Sequence, residues 1–448
     1  GFDEAWIGEH FTSPWEPIPA PDLLIAQALM RTKNIKLGSG AHLLPFHHPA
    51  ELAHRVAYLD HISQGRFLFG VGASGLPSDW ALFDIDGNNG EHRDMTRESL
   101  DIILKIWEND GPFEYKGKYW NVSIPEPMYG TLEFFLRPYQ QPHPPIGVAS
   151  VSYKSPTLMI AGERGFIPMS LALNADYCRS HWEAIEEGAQ RTGRTPSRAD
   201  WRLVRDVYVA DTDEEARDLA LNGMLGRVWH DYLLPLFREF DLMKVFKHDD
   251  EVPDEAVNIE YMAEHLWLIG SPDTVAEKIN RLYGDVGGFG GLLMLVYDQS
   301  ENNAAWDHST RLLAHKVMPQ VSTSPARRRW GFVPSVVANE ESYGADEDAA
   351  LRSAFAEIPK TLRHGETLVE RHGDVLPEWV MRIIADPFDR YTEIKRNQLM
   401  TILIGRVPQC RRWIKVVFIG TPETGQFHTA YRDRRLDRHY GGPPWPTR

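Results

Sequence analysis

The sequence predicts an α/β protein whose strands run parallel in one sheet, and three observations predict it. Short β-rich runs alternate with longer amphipathic stretches. Several of those stretches carry helix start and stop signals. The alternation repeats to give seven βα units, one short of the eight that close a barrel.

The strand-like runs are Glu4–Gly8, Ile35–Leu44, Phe67–Val71, Ile146–Ser150, Phe166–Ser170, Leu203–Val209 and Leu292–Val296. Helices are expected at Pro21–Arg31, Ala50–Ile62, Arg93–Trp107, Thr157–Arg164, Asp176–Arg191, Asp213–Trp229, Pro272–Tyr283 and Asn302–Val317. The helix from Pro272 shows the logic best. Ser271 is suited to cap it, proline fits its first position, Asp273 complements the dipole, and Gly284 supplies a stop. Residues 110–145 and 231–270 interrupt the rhythm, and long insertions in a barrel are expected on its catalytic face.

Beyond Val321 the pattern degrades. The run Pro325-Ala326-Arg327-Arg328-Arg329 reads as a linker, followed by one helix, Asp346–Leu362, and a strand-like Ile414–Ile419. Charge breaks at the same place: residues 321–448 carry 20 Lys+Arg against 16 Asp+Glu, whereas residues 1–320 carry 28 against 47. Two units are therefore expected, residues 1–320 and a C-terminal extension, 321–448, without a functional reading.

A net charge of -15 argues against nucleic acid, which needs a basic surface. No apolar run is long enough to span a membrane. With only Cys178 and Cys410, neither a disulfide framework nor a cysteine-held metal is expected, and a reducing cytoplasm is the expected compartment.

Four segments carry a resemblance. They are Gly1-Phe2-Asp3-Glu4-Ala5-Trp6-Ile7-Gly8-Glu9-His10, the stretch from Ile35 to Pro45 around Gly38-Ser39-Gly40-Ala41-His42, Leu59-Asp60-His61-Ile62-Ser63-Gln64-Gly65-Arg66 with the strand after it, and Pro145–Ser150 followed by Ser152 to Thr157. In this order they resemble the bacterial luciferase-like family of flavin-dependent monooxygenases over about residues 1–320. The resemblance implies a TIM-type (β/α)8 barrel with insertions and a C-terminal extension. The family's chain begins with one more strand and helix than this one shows; Ile414–Ile419 is a candidate to fill that gap.

The resemblance also implies site residues. Catalytic roles fall to His10, Glu9 and His42, and flavin contacts to Gly40, Ala41, Ser74, Ser150, Tyr153, Lys154, Ser155 and Thr157. His10 lies where a strand gives way to its loop, and its imidazole suits proton traffic near a flavin; a loop histidine bonded to backbone is the plain alternative. Related luciferases carry two adjacent histidines after the acid, whereas here only His10 follows Glu9. The family's non-prolyl cis peptide falls, by position, between Gly40 and Ala41, though strand glycines also mark ordinary bulges. His42 would face the ring or substrate, or else be a satisfied interior histidine.

Hydroxyls, unpaired N–H groups and Lys154 ahead of a helix suit a phosphate, or a plain N-cap. Some luciferases place an arginine after the fourth strand for that phosphate; Gly72-Ala73-Ser74-Gly75 has none, and Lys154 is a substitute. Asp60 and Arg66 are expected to form a structural ion pair, His47-His48-Pro49 a turn without metal, and Arg93 and Arg97 a solvated face. Phe11, Trp15, Trp80 and Phe83 make either a pocket wall or a packed rim.

The function implied is a two-component monooxygenase. Reduced FMN from a separate flavin reductase would react with dioxygen to oxygenate a small apolar substrate, with no metal. No G-x-G-x-x-G nucleotide fingerprint lies between a strand and a helix. A homodimer is expected by family habit. The rivals are a deazaflavin-dependent oxidoreductase on the same fold and a non-catalytic flavin-binding protein.

Overall fold

A computed structural model describes residues 1–321 with their side chains and, beyond them, the backbone of strands at Arg329–Pro334, Asp389–Lys395, Gln398–Val407, Arg412–Ile419 and Gln426–Arg432. The expected helix Asp346–Leu362 lies outside the described residues. The chain divides into two compact units, Gly1–Asn339 and Glu340–Arg448.

Eight parallel strands make up the first unit's wall: β1 Glu4–Ile7, β2 Lys36–Ser39, β3 Phe67–Gly72, β4 Ile146–Ser150, β5 Ile167–Ser170, β6 Arg202–Arg205, β7 Gly291–Val296 and β8 Arg329–Pro334. Each pairs with the next, and β8 returns to β1 in the register Glu4↔Gly331, so the wall closes. All seven expected strands are present, but the one expected over Leu203–Val209 leaves the wall after Arg205, and Val207–Val209 pairs with Leu268–Gly270 in a separate two-stranded sheet. The eighth is supplied by Arg329–Pro334, not by Ile414–Ile419, which belongs to a separate four-stranded antiparallel sheet in the second unit. The three arginines before Trp330 masked it as a linker, although Trp330-Gly331-Phe332-Val333 has strand composition.

The interior explains the strand glycines. Trp6 is fully buried inside the wall, in a layer with Leu68, Ile167, Met169, Val204 and Leu293. A Cβ at Gly38 would sit 2.7 Å from the Trp6 ring and one at Gly147 2.9 Å from it, so bulk at position 6 demands its absence on the neighbouring staves. Burying an indole of roughly 200 Å² is worth on the order of 5 kcal/mol. Below it, buried Arg202 grips Glu4 at 2.9 Å, and Glu4 also takes the Trp6 N–H at 3.2 Å. A buried carboxylate is tolerable there because a guanidinium and an indole N–H both engage it.

The helices that pack outside are α1 Pro21–Arg31, α2 Pro49–Ser63, α3 Pro77–Leu82, α4 Glu91–Glu108, α5 Pro156–Arg164, α6 Ala175–Arg191, α7 Asp213–Asn222, α8 Pro272–Asp285 and α9 Asn303–Leu312. Proline opens α1, α2, α3, α5 and α8, where its missing N–H leaves no helical bond unmade. Ser271 caps α8 by accepting from the Thr274 N–H. That helix runs on through Gly284 to Asp285, and the left-handed residue that ends it is Gly287, with φ 75°. The expected helix Asp213–Trp229 breaks at Gly223, and a π-helical turn follows at Trp229–Leu233.

Of the two insertions, only one lies on the expected face. Residues 110–145 connect α4 to β4 and so reach the amino ends of the strands, opposite the active-site mouth. Arg137 there binds the closing carbonyls of α4, and Gln140 binds Asp60 at the end of α2. Residues 231–270 do reach the mouth: Tyr232 bonds the loop after β1, and Asn174, after β5, donates to Val245. Asp60 and Arg66 are structural but not a pair. Asp60 accepts from Gln140, while Arg66 donates to Thr32, Ile35 and Leu29. Among the described residues, no helix is long and apolar enough to cross a membrane, and no group of His, Cys, Asp and Glu could hold a metal.

Candidate active site

Strand direction gathers the carboxyl ends of β1, β2, β3 and β4, four neighbouring staves, at one end of the barrel. Every predicted site residue sits on these ends or in the segments directly after them. The peptide between Gly40 and Ala41 is cis. Ser74, after β3, has a left-handed backbone (φ 68°), and its hydroxyl accepts from the Leu76 N–H.

His10 follows β1, and its backbone N–H donates to the Ile18 carbonyl, closing the 10–18 loop on itself. Its ring lies between two carboxylates, Nδ1 at 3.5 Å from Asp79 and Nε2 at 3.7 Å from Glu16. Burial alone would lower its pKa, but Asp79, Glu16 and, farther off, Glu9 outweigh burial and raise it. Asp79 is fully buried at the start of α3 and accepts from the Phe11 N–H and the Thr12 hydroxyl. Burial opposes its charge, yet those bonds and His10 hold its carboxyl below the usual range.

Glu9 and His42 occupy one buried chain of contacts beside it. Glu9 accepts the Leu43 N–H at 2.7 Å and holds His47 Nε2 at 2.8 Å. Arg55 can only donate, so at 3.1 Å from His47 Nδ1 it makes that nitrogen the acceptor and puts the proton on Nε2, toward Glu9. Arg55 continues to Asp22 at 2.7 Å, and Asp22 lies 3.3 Å from His42 Nε2. Burial resists the charge on Asp22, but His42 and Arg55 pull its pKa down to about 2. His42 Nδ1 is buried without a hydrogen-bond partner.

Around β4 the hydroxyls converge. Ser155 caps α5 through the Leu158 N–H and donates to Ser150 at 2.8 Å, and Ser150 also lies 3.3 Å from Ser152. Tyr153 and Thr157 are exposed, and Lys154 turns out toward Glu183 at 3.9 Å, its N–H donating to Ser180. His181 braces this loop. Its Nε2 donates to the Ser152 carbonyl, and its Nδ1 accepts from Ser170, whose oxygen takes the Trp201 N–H. Burial pushes the His181 pKa down to about 4 against the pull of the Ser152 carbonyl, and Arg205 adds to the fall.

That depressed value has a consequence for stability. The unfolded chain binds a proton near the ordinary imidazole pKa, while the folded chain resists it until about pH 4. Stability is therefore expected to fall as pH drops through that window, by up to about 1.4 kcal/mol per unit from this group. Urea titrations at pH 7, 5.5 and 4.5 check it: His181→Asn should flatten the decline, and an unchanged slope would refute the assignment.

The aromatic residues of these loops pack against one another. Phe46 stacks on Phe83 at 4.4 Å, Phe11 meets both edge-on, and Trp15 stacks on Tyr232. Trp80 instead stacks on His92. Two clefts of about 660 and 360 Å³ lie on the helical flank and beside the 113–124 hairpin, and neither is lined by a predicted site residue.

Sequence reasoning missed Asp79, Glu16 and Tyr232 around His10, and Asp22, His47 and Arg55 around Glu9 and His42. His47 was visible as half of a histidine pair but read as a turn. The others are joined to the site only by folding; Asp79 stands next to Trp80, which the aromatic pattern did single out.

The family model for luciferase-like monooxygenases matches residues 1–288. The 3,6-diketocamphane 1,6-monooxygenase of Pseudomonas putida is 38% identical over 339 residues, 72% of this chain and 89% of that protein. The limonene 1,2-monooxygenase of Rhodococcus erythropolis is 30% identical over 361 residues, 79% and 87% of the two chains. Among solved structures, the oxygenating constituent of 3,6-diketocamphane monooxygenase from Pseudomonas putida is a type II Baeyer–Villiger monooxygenase in complex with FMN. It superposes with TM-score 0.68 at 38% identity, over 72% of this chain and 89% of its own.

Proposed function

This chain belongs to the luciferase-like monooxygenase family, and from that premise we infer that it is the oxygenase component of a two-component, FMN-dependent monooxygenase. Its proposed reaction places one atom of dioxygen into a small apolar cyclic ketone, in the Baeyer–Villiger manner. The observation that carries this reading is the likeness, over 72% of this chain and 89% of the relative's, to an oxygenating constituent solved with FMN.

The residues at the mouth fit that cofactor. Three serine hydroxyls stand ahead of α5, where the first-turn N–H groups favour an anion. At the other side, buried His42 Nδ1 lacks a hydrogen-bond partner within the protein. When bound, reduced FMN supplies the electrons that activate dioxygen, and a flavin reductase supplies the reduced FMN.

In this assignment Ser150, Tyr153, Lys154, Ser155 and Thr157 hold the phosphate, and Gly40, Ala41 and Ser74 line the flavin. His10 holds a proton at the mouth. Glu9 fixes the Leu43 backbone and His47, and thereby the strand end that carries the cis peptide; Asp22 fixes His42. Phe11, Phe46 and Phe83 offer an apolar wall that excludes water and suits a hydrocarbon-rich substrate. The proposed working form is a homodimer in a reducing cytoplasm.

The test is oxygen uptake. With photoreduced FMN and a bicyclic ketone, one dioxygen should disappear per lactone formed. Hydride transfer from a reduced deazaflavin with no oxygen uptake would overturn the reading. Lys154→Ala should lower the preference for FMN over riboflavin by about tenfold, the scale of one charge-assisted contact. If both flavins bind it as they bind the parent protein, the phosphate lies elsewhere.

A further inference from the structure

We propose that Asp79 and Glu16 are positioning residues that hold His10 in its cationic form, so that the imidazole gives a proton at the barrel mouth instead of taking one. The inference rests on the proposed monooxygenase function for its use, but on geometry for its content.

Each ring nitrogen of His10 faces a carboxylate, Nδ1 toward Asp79 Oδ2 at 3.5 Å and Nε2 toward Glu16 Oε1 at 3.7 Å. A neutral imidazole carries one N–H and can serve only one of them; an imidazolium serves both. Asp79 makes the demand strict. It is 0% exposed, its Oδ1 is occupied by Phe11 and Thr12, and its Oδ2 has no hydrogen-bond partner. His10 Nδ1 is likewise buried and unpartnered. Two orphaned atoms of complementary type stand within a small adjustment of a charge-assisted bond, and such contacts are commonly loose before substrate binds.

The two carboxylates have different parts. Asp79 lies on the buried edge and anchors the ring. Glu16 lies on the wetter edge, 26% exposed, and is itself steered: Tyr232 donates to its Oε2 at 2.7 Å, and Trp15, one residue before Glu16, stacks on Tyr232. Tyr232 belongs to the π-helical turn Trp229–Leu233, a distortion often found where a helix serves a site. The remaining charged group near the ring, Glu9, is engaged with His47 and acts only at longer range. The proton therefore leaves from Nε2. That N–H bond breaks, the proton passes to an oxygen anion at the mouth, and the ring is left neutral with its Nδ1–H on Asp79.

The experiment follows the His10 imidazole by NMR across pH in the flavin-free protein, which requires no turnover. In the parent protein His10 should titrate above a free imidazole. Asp79→Asn should lower its midpoint by about 1–2 units, and Glu16→Gln by less because that edge is wetter. Tyr232→Phe should move it in the same direction as Glu16→Gln. The alkaline limb of kcat/KM in the FMN-loaded enzyme should shift down by matching amounts, which a purely structural Asp79 would not cause. Should Asp79→Asn fail to fold, Glu16→Gln and Tyr232→Phe carry the test. A parent His10 that titrates at or below a free imidazole, or a midpoint unmoved in every folded variant, overturns the proposal. A high His10 midpoint in a protein that oxygenates nothing would support the clamp and sink the functional reading instead.

Discussion

Replacing His10 with alanine is expected to leave FMN affinity within a few-fold while oxygenation falls by about 10²–10⁴, the range for a lost acid or base. The asymmetry follows from where the ring sits. The serines proposed for the phosphate lie around β4 and the start of α5, so deleting an imidazole after β1 removes nothing from their hydroxyls. What it removes is the group between Asp79 and Glu16, leaving a fully buried carboxylate facing a void. Some loss of stability should accompany the loss of rate, so turnover must be compared at a temperature where both proteins are folded. Product formation by His10→Ala at the parent rate would take the residue out of the chemistry.

The second large effect concerns the wall. A chain cut after Val321 loses β8, whose backbone pairs with β7 over six positions and with β1 over two. At roughly 1 kcal/mol net per hydrogen bond, that loss rivals the 5–15 kcal/mol by which a domain is stable. It also bares two strand edges, the usual seeds of edge-to-edge aggregation. The 1–321 chain should therefore precipitate or bind no FMN, whereas a chain ending at Asn339, the limit of the first compact unit, should stay soluble. Size-exclusion chromatography with flavin titration decides it. A soluble, FMN-binding 1–321 chain would show that β8 does not seal the barrel.

Much of this architecture was legible because its determinants are local. Helix α1 runs from Pro21 to Arg31 as its proline start and apolar spacing require, and the seven early strands follow from short, largely apolar runs set between helical stretches. The cis Gly40–Ala41 peptide came by position, through resemblance. What stayed hidden needs two distant parts of the chain at once. Nothing near His10 announces Asp79, a contact made across 69 positions, and Arg66 finds three oxygens on α1 and its following loop instead of the carboxylate six residues away. The 110–145 insertion was assigned to the wrong face for a similar reason. Its length suggested the catalytic face, but a segment that leaves a helix to enter a strand must arrive at the strand's amino end.

The order in which the staves occur along the chain bears on how the protein is made. At about 5–20 residues per second a ribosome needs roughly 15–65 s to travel from β1 to β8. Throughout that interval β1 lacks one of its two neighbours in the finished barrel, and β7, once made, lacks the same strand until residue 329 has been passed. Biogenesis of this protein should accordingly lean on holding factors during elongation, and slow codons or stalls ahead of residue 329 should depress its yield more than stalls placed after residue 339.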